Sequence, residues 1–142
     1  MPTFTGTASI TINATPQTVW QALTQPEIVK QWLYGTEVVS DWKVGSALIY
    51  KGLWEGQAYE DKGTILQIEP QKLLKATYLS SMGGKKDIPQ NYNVITYQLE
   101  PADGDKTKLT ITQENNPSQQ TANESKKNWD TMLDAMKKLL EE

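Results

Sequence analysis

Apolar and polar residues alternate near the start of the chain and then give way to a helical spacing. Between Ala8 and Ala14 every second residue is apolar, which is the pattern of a strand that buries one face. Thr15 is followed by Pro16. This pair is typical of a helix start, because the Thr oxygen can accept from free backbone N–H groups and Pro lacks that donor. We therefore predict a strand that runs directly into a helix.

The next segment predicts two short helices. Val19 and Leu23 lie four residues apart and share a face of the first helix. The second helix should begin near Pro26, turn Trp32 inward with Ile28 and Val29, and end at Gly35, where a residue without Cβ suits a helix C-terminus. The two helices should form a V-shaped unit.

From Glu37 to Asn115 short β-like runs alternate with turn residues, which indicates an antiparallel meander. Ser80–Gln90 is polar and contains Gly83, Gly84 and Pro89, so we expect a mobile loop there that could guard a pocket mouth. The side chains expected on the concave face share one parity within each run. They are Leu48, Tyr50, Trp54, Leu66, Ile68, Leu74, Ala76, Tyr78, Ile95, Tyr97, Leu99, Leu109, Ile111 and Gln113.

The chain closes with an amphipathic segment, Asn128–Glu142, whose apolar residues recur at spacings of three and four. Together these elements predict an α+β protein with a curved antiparallel sheet of six to seven strands. Two short N-terminal helices and the sheet would grip one long C-terminal helix. We expect a single domain over residues 1–142.

Composition removes several classes of function. The chain has no Cys and no His, and all its basic residues are Lys. Catalytic triads, Cys/His metal sites and bidentate Arg recognition are therefore excluded, and we predict no cofactor and no metal. A net charge of −3 disfavours nucleic acid as a partner. We also expect no membrane span and, from an N-terminus without a secretory pattern, a cytoplasmic location.

Four segments carry a family resemblance over nearly the whole chain. They are TPQTVWQALTQPEIVKQW, SDWKVGS, EDKGTILQIEP and NWDTMLDAMKKLLEE. In this order they resemble the helix-grip fold of the START-like superfamily, and within it the bacterial homologues of the activator of the ninety-kilodalton heat-shock protein ATPase. The resemblance implies the fold. For function it implies a range that runs from hydrophobic-ligand carriers and cyclases to co-chaperone domains.

A bent sheet around one helix can leave an interior pocket. Tyr and Trp are suited to line it, because each combines an apolar ring with a polar group that needs a partner when buried. Met suits the same place, because its flexible thioether adapts to ligands and to gaps. The alternative, which the sequence leaves open, is that these side chains fill the core. The predicted ligand-binding residues are Trp32, Tyr50, Trp54, Tyr78, Asn93, Tyr97, Gln113, Trp129, Met132, Leu133 and Met136.

The acidic residues in the middle of the chain predict turns rather than catalysis. Glu60 and Asp61 are adjacent, so an extended backbone would point them to opposite faces. Asp61 precedes Gly63 and is expected to stabilise a solvated turn, as is Asp41 in its own segment. The run from Gly83 to Lys86 lacks the spacing of a phosphate loop and predicts a solvated loop.

Three functions follow, in order of preference. The first is a non-catalytic module that binds a small hydrophobic molecule between the sheet and the last helix. The second is a protein-interaction module with a chaperone as partner, for which we expect a filled core and an exposed apolar or charged patch. The third is a cyclase- or hydrolase-type enzyme, which a deeply buried Asp or Lys beside the cavity with a perturbed pKa would favour.

Overall fold

The computed structural model describes residues 4–33, 35–54, 56–80 and 86–141, apart from the side chain of Trp54. Within these described residues, seven strands, three α-helices and one short 3-10 turn follow one another. They are β1 (Phe4–Ile12), α1 (Pro16–Thr24), α2 (Pro26–Trp32), β2 (Glu37–Ser40), β3 (Ala47–Trp54), β4 (Gln57–Glu69), β5 (Leu73–Tyr78), the 3-10 turn (Pro89–Asn91), β6 (Asn93–Ala102), β7 (Lys106–Asn116) and α3 (Gln119–Glu141).

The strands form one antiparallel sheet in the order β1-β7-β6-β5-β4-β3-β2. Strands β2 to β7 follow one another as a meander, while β1 pairs with β7 at the far edge. The long helix α3 packs against the sheet, above all against β1. The α+β helix-grip fold predicted from the sequence is confirmed, with the sheet at seven strands.

The helix starts follow the sequence signals. Thr15 caps α1, and its Oγ1 accepts from the backbone N–H of Thr18 at 3.3 Å, while Pro16 occupies the first turn. The helix α2 begins at Pro26 as predicted. The last helix begins at Gln119, well before the predicted start near Asn128. Its first turns are polar, so the apolar stripe marks only the part of α3 that covers the core.

A β-bulge in β4 overturns one predicted core residue. Leu66 was expected on the concave face, but its side chain is 43% exposed. The pairing with β5 shifts register between Ile65 and Gln67, which places Ile65 inside and returns Ile68 to the inner face. An extra residue in one strand inverts the parity of the residues that follow. Strict alternation could not reveal this shift.

Gly63 was predicted to be a turn residue, but it lies within β4. A Cβ at this position would lie 1.7 Å from the carbonyl oxygen of Thr77 in β5. The residue therefore permits a close approach of two strands rather than a chain reversal.

The core between sheet and helices is mostly aliphatic. Ile12, Leu109 and Ile111 of the sheet are fully buried, together with Leu133 and Met136 of α3. No helix in the described part of the chain has both the length and the apolar character needed to cross a bilayer.

Candidate functional site

A cavity of about 390 Å³ lies between the concave face of the sheet and the N-terminal half of α3. Strands β3 to β7 form its floor, α3 forms its roof, and the segment after α2 closes one side. The described residues that line it are Leu33, Thr36, Tyr50, Tyr59, Asp61, Tyr78, Ser80, Ile95, Tyr97, Gln113, Ser125, Asn128, Trp129 and Met132.

One wall of the cavity is polar and is built by three adjacent strands. Tyr50 of β3 pairs directly opposite Asp61 of β4 in the antiparallel register. Tyr78 of β5 donates its hydroxyl proton to Asp61 Oδ2 at 2.7 Å. Tyr97 of β6 is hydrogen-bonded to Tyr50 through the two hydroxyl groups. The hydroxyl groups of three strands and one carboxylate therefore meet at the cavity floor.

Burial keeps these phenols protonated. It raises the pKa of Tyr50 to about 12, although the hydrogen bond with Tyr97 opposes part of the rise. Burial also raises the pKa of Tyr97 well above its ordinary value, helped by the charge and the hydrogen bond of Tyr50. The pKa of Tyr78 is raised first by burial and then by its hydrogen bond to Asp61. At neutral pH all three act as neutral hydrogen-bonding groups.

The prediction that Asp61 lies in a solvated turn is wrong. It lies in the middle of β4 and is only 9% exposed. The sequence EDKG resembles a turn, but the pairing of β4 with β3 continues through it. Tyr59, Asp61, Gly63 and Ile65 recur at period two, and this alternation was the signal that could have found it. Asp41, by contrast, is exposed, as a turn residue would be.

A further tyrosine, Tyr59, closes the cavity toward β2. It lies opposite Gly52 of β3, and a Cβ at Gly52 would lie 2.5 Å from the Tyr59 hydroxyl oxygen. Because Gly52 has no side chain, the ring can lie across β3. Its hydroxyl reaches Thr36, which is itself buried, and the two form a hydrogen bond.

The roof of the cavity combines the ring of Trp129 and the thioether of Met132 with the polar side chains of Ser125 and Asn128. The indole N–H of Trp129 donates to Gln113 Oε1 at 2.9 Å, which fixes the ring above the sheet. Tyr97 meets this ring edge-on, with ring centres 5.7 Å apart and planes at 90°. Such an edge-to-face contact is a favourable aromatic geometry. Met132 lies one turn further along α3 and adds a flexible apolar contact.

Six of the predicted ligand-binding residues line this cavity: Tyr50, Tyr78, Tyr97, Gln113, Trp129 and Met132. Four others do not line the cavity, because their side chains form hydrogen bonds to the backbone or pack in the core. The Trp32 indole N–H donates to the Ala22 carbonyl at 2.7 Å, and the Asn93 amide donates to the Glu114 carbonyl at 3.0 Å. Leu133 and Met136 are fully packed in the core. The side chain of Trp54 lies outside the described part, as do Gly83, Gly84 and Lys85 of the predicted loop.

Sequence reasoning missed about half of the lining. Beyond Tyr59 and Asp61, the missed residues come from connecting segments or from polar positions of α3. They are Leu33, Thr36, Ser80, Ser125 and Asn128. Ser125 was not predicted as a lining residue because it is small and polar. Its Oγ donates to Asn116 Oδ1 at 3.3 Å, and the Asn116 amide in turn donates to the carbonyl of Phe4 at 3.0 Å.

No group of three or more acidic side chains that could hold a metal ion occurs among the residues that the structure describes.

Comparisons with known proteins agree with this architecture. The family model described as "Activator of Hsp90 ATPase homolog 1-like protein" matches residues 13–141. No curated protein matches the chain. Among solved structures, protein ChR145 from Cytophaga hutchinsonii is 43% identical with a TM-score of 0.84, over 97% of this chain and 94% of that one.

Two more distant structures show the fold alone. Protein MLL2253 from Mesorhizobium loti is 24% identical with a TM-score of 0.76, and 97% of each chain is covered. The Aha1 dimer from Colwellia psychrerythraea is 21% identical with a TM-score of 0.73, over 96% of each chain.

Proposed function

This chain belongs to the activator of Hsp90 ATPase homolog 1-like family, and we propose that it is a non-catalytic binding module for a small hydrophobic or aromatic ligand. The observation that carries the proposal is the cavity of about 390 Å³ between the sheet and α3. Its volume lies in the range of small-molecule sites, roughly 300–1,000 Å³. Apolar side chains such as Ile95, Trp129 and Met132, together with a few convergent polar groups, are also typical of such sites.

The state of the tyrosines favours binding over catalysis. A general base needs a pKa near the working pH, whereas the pKa values of Tyr50, Tyr78 and Tyr97 are all raised. These phenols hold their protons at neutral pH. Asp61 satisfies the geometric condition for an enzyme, a buried acid beside the cavity, yet it already accepts from Tyr78. We therefore assign this pair to recognition.

The test is native mass spectrometry of the freshly purified protein, followed by thermal-shift screening against lipids, flavonoids, polyketides and aromatic acids. We expect a co-purifying mass or a melting temperature that rises with ligand concentration, because a ligand that binds only the folded state stabilises it. A protein that is empty and unresponsive to the whole panel would contradict the proposal.

A matched pair of variants locates the binding. Ile95→Phe places a larger side chain against the cavity and should abolish the thermal shift. Val39→Phe changes a half-exposed residue of β2 and should leave the shift intact. If both variants keep the full response, the ligand binds outside the cavity.

A second candidate is an interaction with a chaperone, which the family description and two exposed apolar side chains favour. Leu53 is 69% exposed and Val44 is 66% exposed. Exposed apolar residues of this kind can form part of a protein contact. The ATPase rate of a bacterial ninety-kilodalton heat-shock protein should then rise on addition of this protein, and Leu53→Ser should weaken the effect. An unchanged rate would remove this candidate.

A further inference from the structure

Two pairs of hydroxyl groups line the cavity, and each pair has one proton more than it uses. Tyr50 and Tyr97 form the first pair, and Thr36 and Tyr59 form the second. Two hydroxyl groups carry two protons, and the bond between them uses one. Among the described residues, these four hydroxyl groups have no hydrogen-bond partner outside their own pair. One proton of each pair is therefore left to donate.

The polar groups next to the first pair do not take up its second proton. The Tyr78 hydroxyl donates to Asp61 Oδ2 at 2.7 Å and accepts from Ser80. Asp61 lies directly opposite Tyr50 in the register of β3 and β4, yet the phenol that donates to it is Tyr78. The proton that the Tyr50–Tyr97 pair does not use therefore remains available to a molecule in the cavity.

An amide adds a further donor on the wall that faces α3. Gln113 Oε1 accepts from the Trp129 indole at 2.9 Å, and Gln113 Nε2 donates to Asn116 Oδ1 at 3.4 Å. An amide nitrogen carries two protons, so one of them is left over. Asn128 is exposed, and its amide can both donate and accept, so it does not select between ligand types. The buried part of the lining thus has several donors to offer.

The unused phenol proton is present at neutral pH and lies in a buried place. Burial raises the pKa of Tyr50 to about 12 and raises the pKa of Tyr97 well above its ordinary value. The Tyr97 side chain is only 5% exposed. A buried donor without an acceptor costs free energy. A ligand that fills this part of the cavity must therefore supply an acceptor or bind less tightly.

This donor lies beside the apolar part of the lining. Ile95 precedes Tyr97 by two residues on β6, so both side chains point to the same face of the sheet. The Tyr97 ring meets the Trp129 ring edge-on, with centres 5.7 Å apart. A molecule whose apolar body contacts Ile95 and Trp129 would therefore lie next to the ring that carries one of the two hydroxyl groups.

We propose that the ligand has an apolar or aromatic body with a hydrogen-bond acceptor such as a carbonyl oxygen, and that the Tyr50–Tyr97 pair donates to this acceptor. This inference rests on the proposed binding function. A carbonyl oxygen has lone pairs and no proton of its own, so it suits a wall whose phenols keep an unused proton. The body of the ligand would contact Ile95, Trp129 and Met132.

Matched probes test the acceptor requirement on the unmodified protein. Benzophenone is compared with 1,1-diphenylethylene, and 2-acetylnaphthalene with 2-isopropenylnaphthalene. Each alkene keeps the shape of its ketone but has a CH₂ group in place of the carbonyl oxygen. 4-Phenylphenol, whose oxygen both donates and accepts, probes binding alone. Titration calorimetry at pH 7 gives the dissociation constants, and we expect each ketone to bind about 10-fold more tightly than its alkene.

A double variant assigns this preference to the hydroxyl pair. Either single Tyr→Phe change leaves one hydroxyl group whose proton is unused, so both groups have to be removed. In Tyr50→Phe/Tyr97→Phe the preference for ketone over alkene should fall about 10-fold. Replacing both partners of a hydrogen bond by apolar groups of the same shape can be nearly neutral for stability. Melting temperatures and circular dichroism spectra check that the variant is folded.

Tyr92→Phe is the matched control. It removes a tyrosine hydroxyl that donates to Asp87 and does not line the cavity, so the preference for ketones should be unchanged.

The outcomes separate the two levels of the proposal. If none of the five compounds binds, the cavity is not a site for small aromatic molecules, and the proposed function fails. If the alkenes bind the unmodified protein as tightly as the ketones, the protein binds ligands but the acceptor requirement is overturned. If the folded double variant keeps the full preference for ketones, the donor is not the Tyr50–Tyr97 pair.

Discussion

The two halves of α3 cover the same sheet but have different neighbours. The C-terminal half carries Leu133 and Met136, which are fully buried in the hydrophobic core and do not line the cavity. The N-terminal half places Trp129 and Met132 above tyrosines, and a cavity of about 390 Å³ remains between them. Flexible aliphatic chains interdigitate and fill space, whereas planar rings held by hydrogen bonds cannot move to close a gap. One helix therefore supports a packed half and a hollow half.

Truncation in the two halves should give the largest contrast. Leu133→Ala removes a fully buried side chain and should lower the free energy of unfolding by about 2–5 kcal/mol, because the transfer and cavity terms add. Met132→Ala, one residue earlier but facing the existing cavity, should cost clearly less. Urea denaturation measures both. Equal losses would mean that the hollow half is packed as tightly as the other.

Replacing a side chain by a larger one should also distinguish a packed position from a position beside the cavity. Ile111→Phe forces a larger ring into a fully buried position that does not line the cavity and should cost about 1–3 kcal/mol through overpacking. Ile95→Phe adds the same atoms beside the cavity, which can receive them, so its cost should be smaller. Denaturation curves for the pair check this. A large loss for Ile95→Phe would show that no space is available there.

Alkaline pH should lower the stability of the protein by removing protons from the buried phenols beside the cavity. An unfolded Tyr loses its proton near pH 10, whereas burial raises the pKa of Tyr50 in the folded protein to about 12. Its contribution is fully present below pH 10 and is lost as the pH rises toward 12. One such proton changes the free energy of unfolding by at most about 1.4 kcal/mol per pH unit.

The control for this pH effect is a pair of Tyr→Phe variants. Tyr50→Phe should make the alkaline decline in stability shallower. Tyr92→Phe removes a hydroxyl that lies at the surface and donates to Asp87, so it should alter the decline less. Denaturation between pH 9 and pH 12 distinguishes them, and identical curves would argue against a buried Tyr50.

The sequence predicted the fold well because its signals are local. The alternation of β1 and the Thr15–Pro16 helix start both depend on neighbouring residues, and both are confirmed. The bulge after Ile65 was not predicted, because it depends on how β4 pairs with β5. The prediction of a turn at Asp61 was wrong because the long pairing of β3 with β4 continues through a turn-like tetrapeptide.

The site was harder to predict because a lining is a property of space rather than of residue type. Trp32 and Trp129 have the same side chain, yet one donates to a helix carbonyl in the core and the other lies over the cavity. Nothing in their local sequence separates them. Only the packing of α2 and α3 against the sheet decides which ring meets empty space.

These two indoles also supply the most direct measurement of the central claim. A two-dimensional NMR spectrum of ¹⁵N-labelled protein resolves indole N–H signals, and the Trp32→Phe and Trp129→Phe spectra assign these two. On titration with 4-phenylphenol, the account predicts that the Trp129 signal shifts with saturation while the Trp32 signal stays in place. A shift confined to Trp32, or no shift of Trp129 when the compound binds, would contradict a ligand site between the sheet and α3.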